Sequence, residues 1–154
     1  PNIRPHFIAD APAFRARLST MLDQADMVKL SDEDIAWLLP NVPVEHAAAQ
    51  LAETHNIPLL VLTLGAEGAI ALQNGRTVRQ PGIPANPLVD TVGAGDTFMG
   101  SLLAQIQEYD LDRTGALDQL SPEMLQSILH RAAKAAAINC TREGCTPPTL
   151  AELG

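Results

Sequence analysis

The chain has 154 residues and a formal net charge of −8, and its apolar content is ordinary for a globular protein. That length suits one compact domain with a real core. The acidic balance argues against a general binder of nucleic acid or anionic membrane, since phosphate contacts need clustered Lys and Arg, and no run is apolar for long enough to span a bilayer.

The chain begins Pro1-Asn-Ile-Arg-Pro5, without an initiating Met and with no strand ahead of it, which predicts a piece of a longer protein. Asp10 is a helix N-cap with Pro12 in the first turn, and Phe14, Leu18, Met21 and Leu22 form an apolar stripe that runs to Ala25. Met27-Val-Lys-Leu30 is a short strand. Ser31 caps the next helix, and Asp34 stands where a capping box would use it. Ile35, Leu38 and Leu39 follow at helical spacing, and Pro40-Asn-Val-Pro43 breaks the helix. Val44 to His55 reads as an Ala-rich helix, with His46 and His55 expected at the surface.

Pro58 to Leu64 is a continuous apolar run, short and bounded by Pro and Gly. It reads as a strand buried on both faces, which points to a parallel sheet. Gly65-Ala-Glu-Gly68 turns the chain. Ala69 to Leu72 alternates into another strand, Asn74-Gly75 signals a type I′ hairpin, and Thr77-Val-Arg79 returns. A proline-rich connector, Pro81 to Pro87, leads to the most informative stretch.

That stretch is Asp90-Thr-Val-Gly-Ala-Gly-Asp-Thr-Phe-Met-Gly100. Phe98, Leu102, Ile106 and Tyr109 recur on one helical face, so Gly93, Ala94 and Gly95 immediately precede a helix start. A turn of small residues lets backbone N–H groups approach a ligand closely. The first N–H groups of a helix lack intrahelical partners, and the helix dipole adds positive charge there. Together these features make a site for an anion, most naturally phosphate. For Asp96 alone, capping that helix is a sufficient explanation.

Beyond it, Asp110 to Leu120 reads as a polar loop. Ser121 caps a helix with Pro122 at its first position, and Met124, Ile128, Leu129 and Ala132 form its buried face up to about Ala137. The small residues at its end would admit a flat ring, or serve close helix packing. Cys140 and Cys145 have no His or third Cys at metal spacing, and no secretory signal is present, so they read as reduced thiols of a cytoplasmic protein. No Gly-x-x-x-x-Gly-Lys-Ser/Thr loop occurs, and Phe98 stands where a dinucleotide fingerprint needs glycine.

The segment Asp90 to Phe98 resembles the second signature of the PfkB/ribokinase family of sugar and nucleoside kinases, Asp-Thr-x-Gly-Ala-Gly-Asp-x-Phe, and matches it at every fixed position. The resemblance implies a three-layer ribokinase-like α/β fold, with a mostly parallel sheet between helices and a small hairpin at Ala69 to Gln80. The chain would be the C-terminal nucleotide-binding and catalytic part of such a kinase, and the N-terminal substrate and lid part would be absent. The implied activity is transfer of the γ-phosphate of ATP to a primary hydroxyl of a sugar. Asp96 would be the base, and Gly93, Ala94, Gly95 and Asp96 would form the anion hole.

The same resemblance assigns further residues. Ser31 and Thr63, Leu64, Gly65, Ala66, Glu67 and Gly68 would line the nucleotide pocket together with Gly95, and Ala133 would sit beside the adenine. Asp34, in place of the family's usual Glu, would hold Mg²⁺ through water. Asp90, Val92, Asn139, Arg142 and Gly144 would surround an activating monovalent cation such as K⁺, although Pro148 replaces the small residue that often completes that site. The opening Pro-Asn-Ile-Arg-Pro and Val28-Lys-Leu-Ser31 look most like bacterial fructokinases, with ribokinase and 2-keto-3-deoxygluconate kinase as runners-up. The expected partners are ATP and a small sugar, with neither nucleic acid nor membrane. Family dimers use the lid, so a homodimer would form through the absent part. A different class also remains open: an inactive nucleotide-binding or interaction fragment of such a kinase.

Overall fold

The computed structural model describes residues 1–113 and 115–154, so Thr114, within the segment read as a polar loop, lies outside the described residues. Four strands, β1 (Met27–Ser31), β2 (Leu59–Thr63), β3 (Gly68–Gln73) and β4 (Arg76–Pro81), form one sheet in that order. Helices α1 (Ala11–Leu22), α2 (Asp32–Leu38) and α3 (Val44–Thr54) precede β2, and α4 (Ala94–Glu108), α5 (Pro122–Asn139) and the short α6 (Leu150–Leu153) follow the hairpin.

β1 and β2 are parallel, joined by the crossover through α2 and α3. β2–β3 and β3–β4 are antiparallel. The sheet carried by this chain is therefore mixed, not mostly parallel. The apolar run of β2 reflects burial on both faces rather than two parallel neighbours, because helices cover both sides of the sheet. Side chains alternate across a strand. Leu60 and Leu62 pack with Val28, Leu30, Ile35, Ala48 and Leu51 on the α1–α3 side. Leu59 and Val61 pack with Phe98, Leu102, Ile128 and Leu129 on the α4–α5 side. The result is the α/β fold read from the sequence, helix layer on sheet on helix layer.

The helix starts follow capping chemistry. The Asp10 side chain accepts from the Ala13 N–H at 2.9 Å, and Ser121 Oγ accepts from the Met124 N–H at 3.2 Å. At Ser31 the capping box is complete: Ser31 Oγ accepts from the Asp34 N–H, and Asp34 Oδ2 accepts from the Ser31 N–H, both at 3.1 Å. The Asn74-Gly75 turn has positive φ at both residues, 49° and 74°, as a type I′ hairpin requires.

Four expectations need correction. Met21 and Tyr109, read as part of buried stripes, are 68% and 46% exposed. Met21 lies on the flank of its stripe, and Tyr109 is the residue after α4 ends, where the helical face no longer continues. His55, expected at the surface, has a side chain only 10% exposed, and its Nδ1 lies 2.6 Å from Asp23 Oδ1, which ties the ends of α1 and α3 together. The polar loop after α4 contains a short 3-10 turn, Ala116–Gln119, and sends Leu111, Ala116, Leu117 and Leu120 into the core. Buried Gln73 anchors it by donating to the Leu117 carbonyl at 2.6 Å and the Leu120 carbonyl at 3.3 Å.

Candidate active site

The site lies at the carboxyl ends of β1 and β2, where α4 begins. Gly93 is the N-cap of α4 with φ 75°, so the chain enters the helix through a left-handed residue. A Cβ at Gly93 would overlap Cys145 Sγ, so glycine is required here twice over, for conformation and for space. The Ala94 N–H donates to the Thr91 carbonyl at 3.2 Å, and the Thr97 N–H to the Gly93 carbonyl at 2.8 Å. Gly95 and Asp96 belong to the first turn, whose N–H groups have no intrahelical acceptors. Asp96, exposed, sits in that turn and brings its carboxylate to the end of the helix that an anion favours. A largely apolar groove of about 360 Å³ opens beside Asp96, lined by Thr97, Gly100 and Ser101 of α4 and by Cys145 and Pro147 of the closing segment. Buried Thr97 Oγ1 has no hydrogen-bond partner among the described residues.

Two loops lock behind this turn. Asp90 Oδ1 accepts from the Val92 N–H and Oδ2 from the Gly144 N–H, both at 3.0 Å. Those bonds, the Val92 one foremost, hold the Asp90 carboxyl below its ordinary pKa of 3.8. Asn139, fully buried, donates from Nδ2 to the Val92 carbonyl and accepts at Oδ1 from the Thr146 N–H, both at 2.8 Å. The Val89 N–H donates to the Cys140 carbonyl at 2.9 Å. Hydrogen bonds thus link all five residues suggested for a monovalent cation, Asp90, Val92, Asn139, Arg142 and Gly144. The oxygens differ in availability: the Val92 carbonyl accepts from Asn139, and the Asn139 carbonyl accepts from the Arg142 N–H at 3.1 Å. The Arg142 guanidinium pairs with Glu152.

At the end of β2, Thr63 Oγ1 donates to the Leu30 carbonyl at 3.3 Å and joins the ends of the two parallel strands. Leu64 then leads into a 3-10 turn, Gly65–Glu67, and Gly68 takes φ 105° against the Gln80 carbonyl, where a Cβ would overlap. Leu64 and Glu67 also border a second groove of about 510 Å³, whose other wall is Pro43, Val44, Glu45 and His46. Gly65 and Ala66 are exposed. Ser31, half-buried, is engaged in its capping box.

Two suggested residues have other occupations. Asp34 is 5% exposed, and its Oδ1 also accepts from the Ile3 N–H at 2.7 Å, so both carboxylate oxygens already face backbone donors. Its fit to a hydrated Mg²⁺ is poor. Ala133 is 8% exposed within the α4–α5 core, where its small size serves packing against the sheet. Among the described residues no group of three or more His, Cys, Asp or Glu side chains is placed to hold a metal ion. No helix there is long and apolar enough to cross a membrane.

Two residues meet the α4 turn without having been assigned to it from the sequence, although Lys29 opens the Lys-x-Ser pattern to which Ser31 and Asp34 belong. Cys145 packs on Gly93, and Lys29 reaches Gly95 from β1. Alternation along β1 was the available signal for Lys29: Val28 and Leu30 point to the α1–α3 core, so Lys29 faces α4.

Comparison with known proteins fits this geometry. The family described as pfkB family carbohydrate kinase matches residues 1–152. A fructokinase of Rhizobium leguminosarum bv. trifolii is 44% identical over 112 residues, 72% of this chain and 33% of that protein. A crystal structure of a fructokinase from Xylella fastidiosa with bound ATP superposes with a TM-score of 0.86 at 27% identity, covering 98% of this chain and 48% of that one. A double-mutant fructokinase from Vibrio cholerae O395, in its fructose, ADP and potassium ion bound form, superposes with a TM-score of 0.78 at 26% identity, covering 98% and 46%. The chain therefore spans a third of the first relative and just under half of the two solved structures.

Proposed function

The chain belongs to the pfkB family of carbohydrate kinases, and we propose that it is the nucleotide-binding and catalytic part of an ATP-dependent kinase acting on a sugar, fructose above others. The observation that carries this reading is the Gly93 turn: a left-handed glycine opens α4 with Asp96 in its first turn, on a sequence that matches the family signature throughout. Fructokinases among the similar proteins support fructose as acceptor, and the ATP-bound relative supports ATP as donor.

In this reading the N–H groups of the Gly93-Ala-Gly-Asp96 turn left without an acceptor, those of Gly95 and Asp96 foremost, bind the oxygens of the transferred phosphoryl group and neutralise the charge that develops on them, while the Ala94 N–H stays on the Thr91 carbonyl. Asp96 accepts the proton of the sugar hydroxyl as its oxygen bonds to the γ-phosphorus. The bond from that phosphorus to the bridging oxygen breaks and releases ADP. The Thr63 to Gly68 turn lies at the strand ends where nucleotides bind in open α/β sheets. Magnesium, when bound, would neutralise charge on the phosphates, and Asp34 is poorly placed to hold it because both its oxygens accept from backbone N–H groups. Asp90, Val92, Asn139 and Gly144 are the residues that would hold K⁺, which the potassium-bound relative supports. Because the chain spans under half of its solved relatives, we place most sugar contacts, and any dimer contact, in sequence outside it.

The test has two parts. Calorimetric titration of the chain with Mg-ATP is expected to show binding, and Asp96→Ala in a kinase that contains this chain is expected to lower turnover by more than the ~10²–10⁴-fold typical of a general base. A variant that keeps a tenth of wild-type turnover removes Asp96 from that role. ATP binding by the isolated chain without fructose-dependent ADP release identifies a half-kinase, with the donor site present and the acceptor site elsewhere.

A further inference from the structure

The closing segment holds a thiol against the entrance to α4. The Gly144 N–H donates to Asp90 Oδ2 at 3.0 Å, and the Thr146 N–H donates to buried Asn139 Oδ1 at 2.8 Å. Cys145 lies between these two anchored residues. It is exposed, and a Cβ on Gly93 would lie 2.3 Å from its Sγ. The thiol therefore touches the N-cap residue of α4, and the backbone that carries it cannot move off without breaking the two anchors. Cys145 also lines the groove of about 360 Å³ that opens beside Asp96. A second feature of that groove points to an occupant. Thr97, 8% exposed, lines it too, and its Oγ1 is buried without a hydrogen-bond partner among the described residues. A buried hydroxyl left unpaired is costly, and a polar group entering the groove relieves that cost.

We propose that Cys145 is a redox-sensitive modification site, where a mixed disulfide with an acidic low-molecular-weight thiol fills the groove beside Asp96 and closes the phosphate site. This inference rests on reading the α4 turn as a phosphoryl-transfer site. The Cys145 thiolate attacks one sulfur of a low-molecular-weight disulfide. A new S–S bond forms to Cys145, the old S–S bond breaks, and the other half leaves as a thiolate, so the disulfide is itself the oxidant and is reduced. Excess thiol reverses the exchange. Gly93 closes one side of Sγ and the groove opens on another, which directs the attached group past Thr97 and Asp96. Polar atoms of that group supply a partner for Thr97 Oγ1. Its carboxylates set negative charge beside the free N–H groups that would otherwise take a phosphate oxygen. The adduct thus opposes phosphate by volume and by charge.

The experiment treats the chain with glutathione disulfide and locates the adduct by peptide mass mapping. Calorimetric titrations with Mg-ATP are compared before treatment, after it, and after dithiothreitol. The adduct is expected on Cys145, with ATP binding weakened at least about tenfold and restored by dithiothreitol. Cys140→Ser, which removes the half-buried second thiol, is expected to keep this response. Cys145→Ser, or Cys145→Ala if the serine form folds poorly, is expected to bind ATP equally with and without treatment. No adduct on Cys145, or a Cys145 adduct that leaves ATP affinity unchanged, would overturn the switch and leave the proposed function standing. So would a Cys145→Ser chain that still loses ATP binding on treatment, or a treated chain whose circular dichroism collapses, since the adduct would then act by unfolding. Failure of the untreated chain to bind Mg-ATP would overturn both.

Discussion

At the residue scale the site depends on backbone conformation more than on side-chain reach. Gly93 adopts φ 75° and abuts Cys145. Alanine at that position meets left-handed strain, for which about 1–3 kcal/mol is typical, and a steric overlap as well. Gly93→Ala is therefore expected to lower the unfolding free energy by at least that amount, seen as a lower urea midpoint at unchanged slope, and to abolish ATP binding. An unchanged midpoint would show that the turn relaxes freely. Asp90 acts through its charge. Its folded-state pKa lies below the ordinary 3.8, so its contribution to stability is fully present above that value and is lost as pH falls through the lower folded value. Both its oxygens accept backbone N–H groups, and Asn can offer only one acceptor oxygen. Asp90→Asn is expected to lower the melting temperature at neutral pH and to flatten its decline on acidification below about pH 4. A variant whose acid decline parallels that of the unmodified chain would assign that decline to other carboxylates.

At the element scale, local rules place most of the elements and say less about how they meet. Asp10, Ser31 and Ser121 start their helices as their side-chain oxygens dictate, and Asn74-Gly75 closes its hairpin by conformation alone. The signature turn is legible for the same reason, since Gly93 to Asp96 are contiguous and their chemistry is local. Lys29 and Cys145 are not legible in this way. Each reaches the turn from a distant part of the chain, and only the packing of β1 and of the closing segment against α4 brings them there. The reading of Asp34 and Ala133 as ligand contacts fails to foresee their competing partners, the Ile3 N–H and the α4–α5 core. Composition alone also hides the role of the segment after α4, whose Leu117 and Leu120 carbonyls are satisfied by buried Gln73. Gln73→Leu keeps much of the volume and removes both donors. Leaving buried carbonyls without those donors is expected to cost about 1–3 kcal/mol and to raise protease cleavage between α4 and α5. A variant as stable and as resistant as the unmodified chain would mean that water replaces the amide.

At the scale of the whole molecule, β2 belongs to two cores at once. Leu60 and Leu62 enter the α1–α3 core, and Leu59 and Val61 enter the α4–α5 core. Neither helix layer can lose its packing without exposing one face of that strand, so the two should unfold as one unit. The chain carries a single Trp, Trp37, and it lies in the α1–α3 layer with Phe14 edge-on at 5.7 Å and the Arg15 guanidinium 3.9 Å from its ring centre. Its fluorescence therefore reports one layer only, while circular dichroism reports both. Ile128 is 1% exposed in the opposite layer, and Ile128→Ala is expected to cost about 2–5 kcal/mol. If β2 couples the layers, the Trp37 transition in urea shifts by the same amount as the dichroism transition, although Ile128 packs in the other layer. A Trp37 midpoint that stays in place while the dichroism midpoint falls would mean that the α4–α5 layer, which carries the Asp96 turn, opens on its own. The two layers would then be separate folding units, and the site would sit on the less stable one.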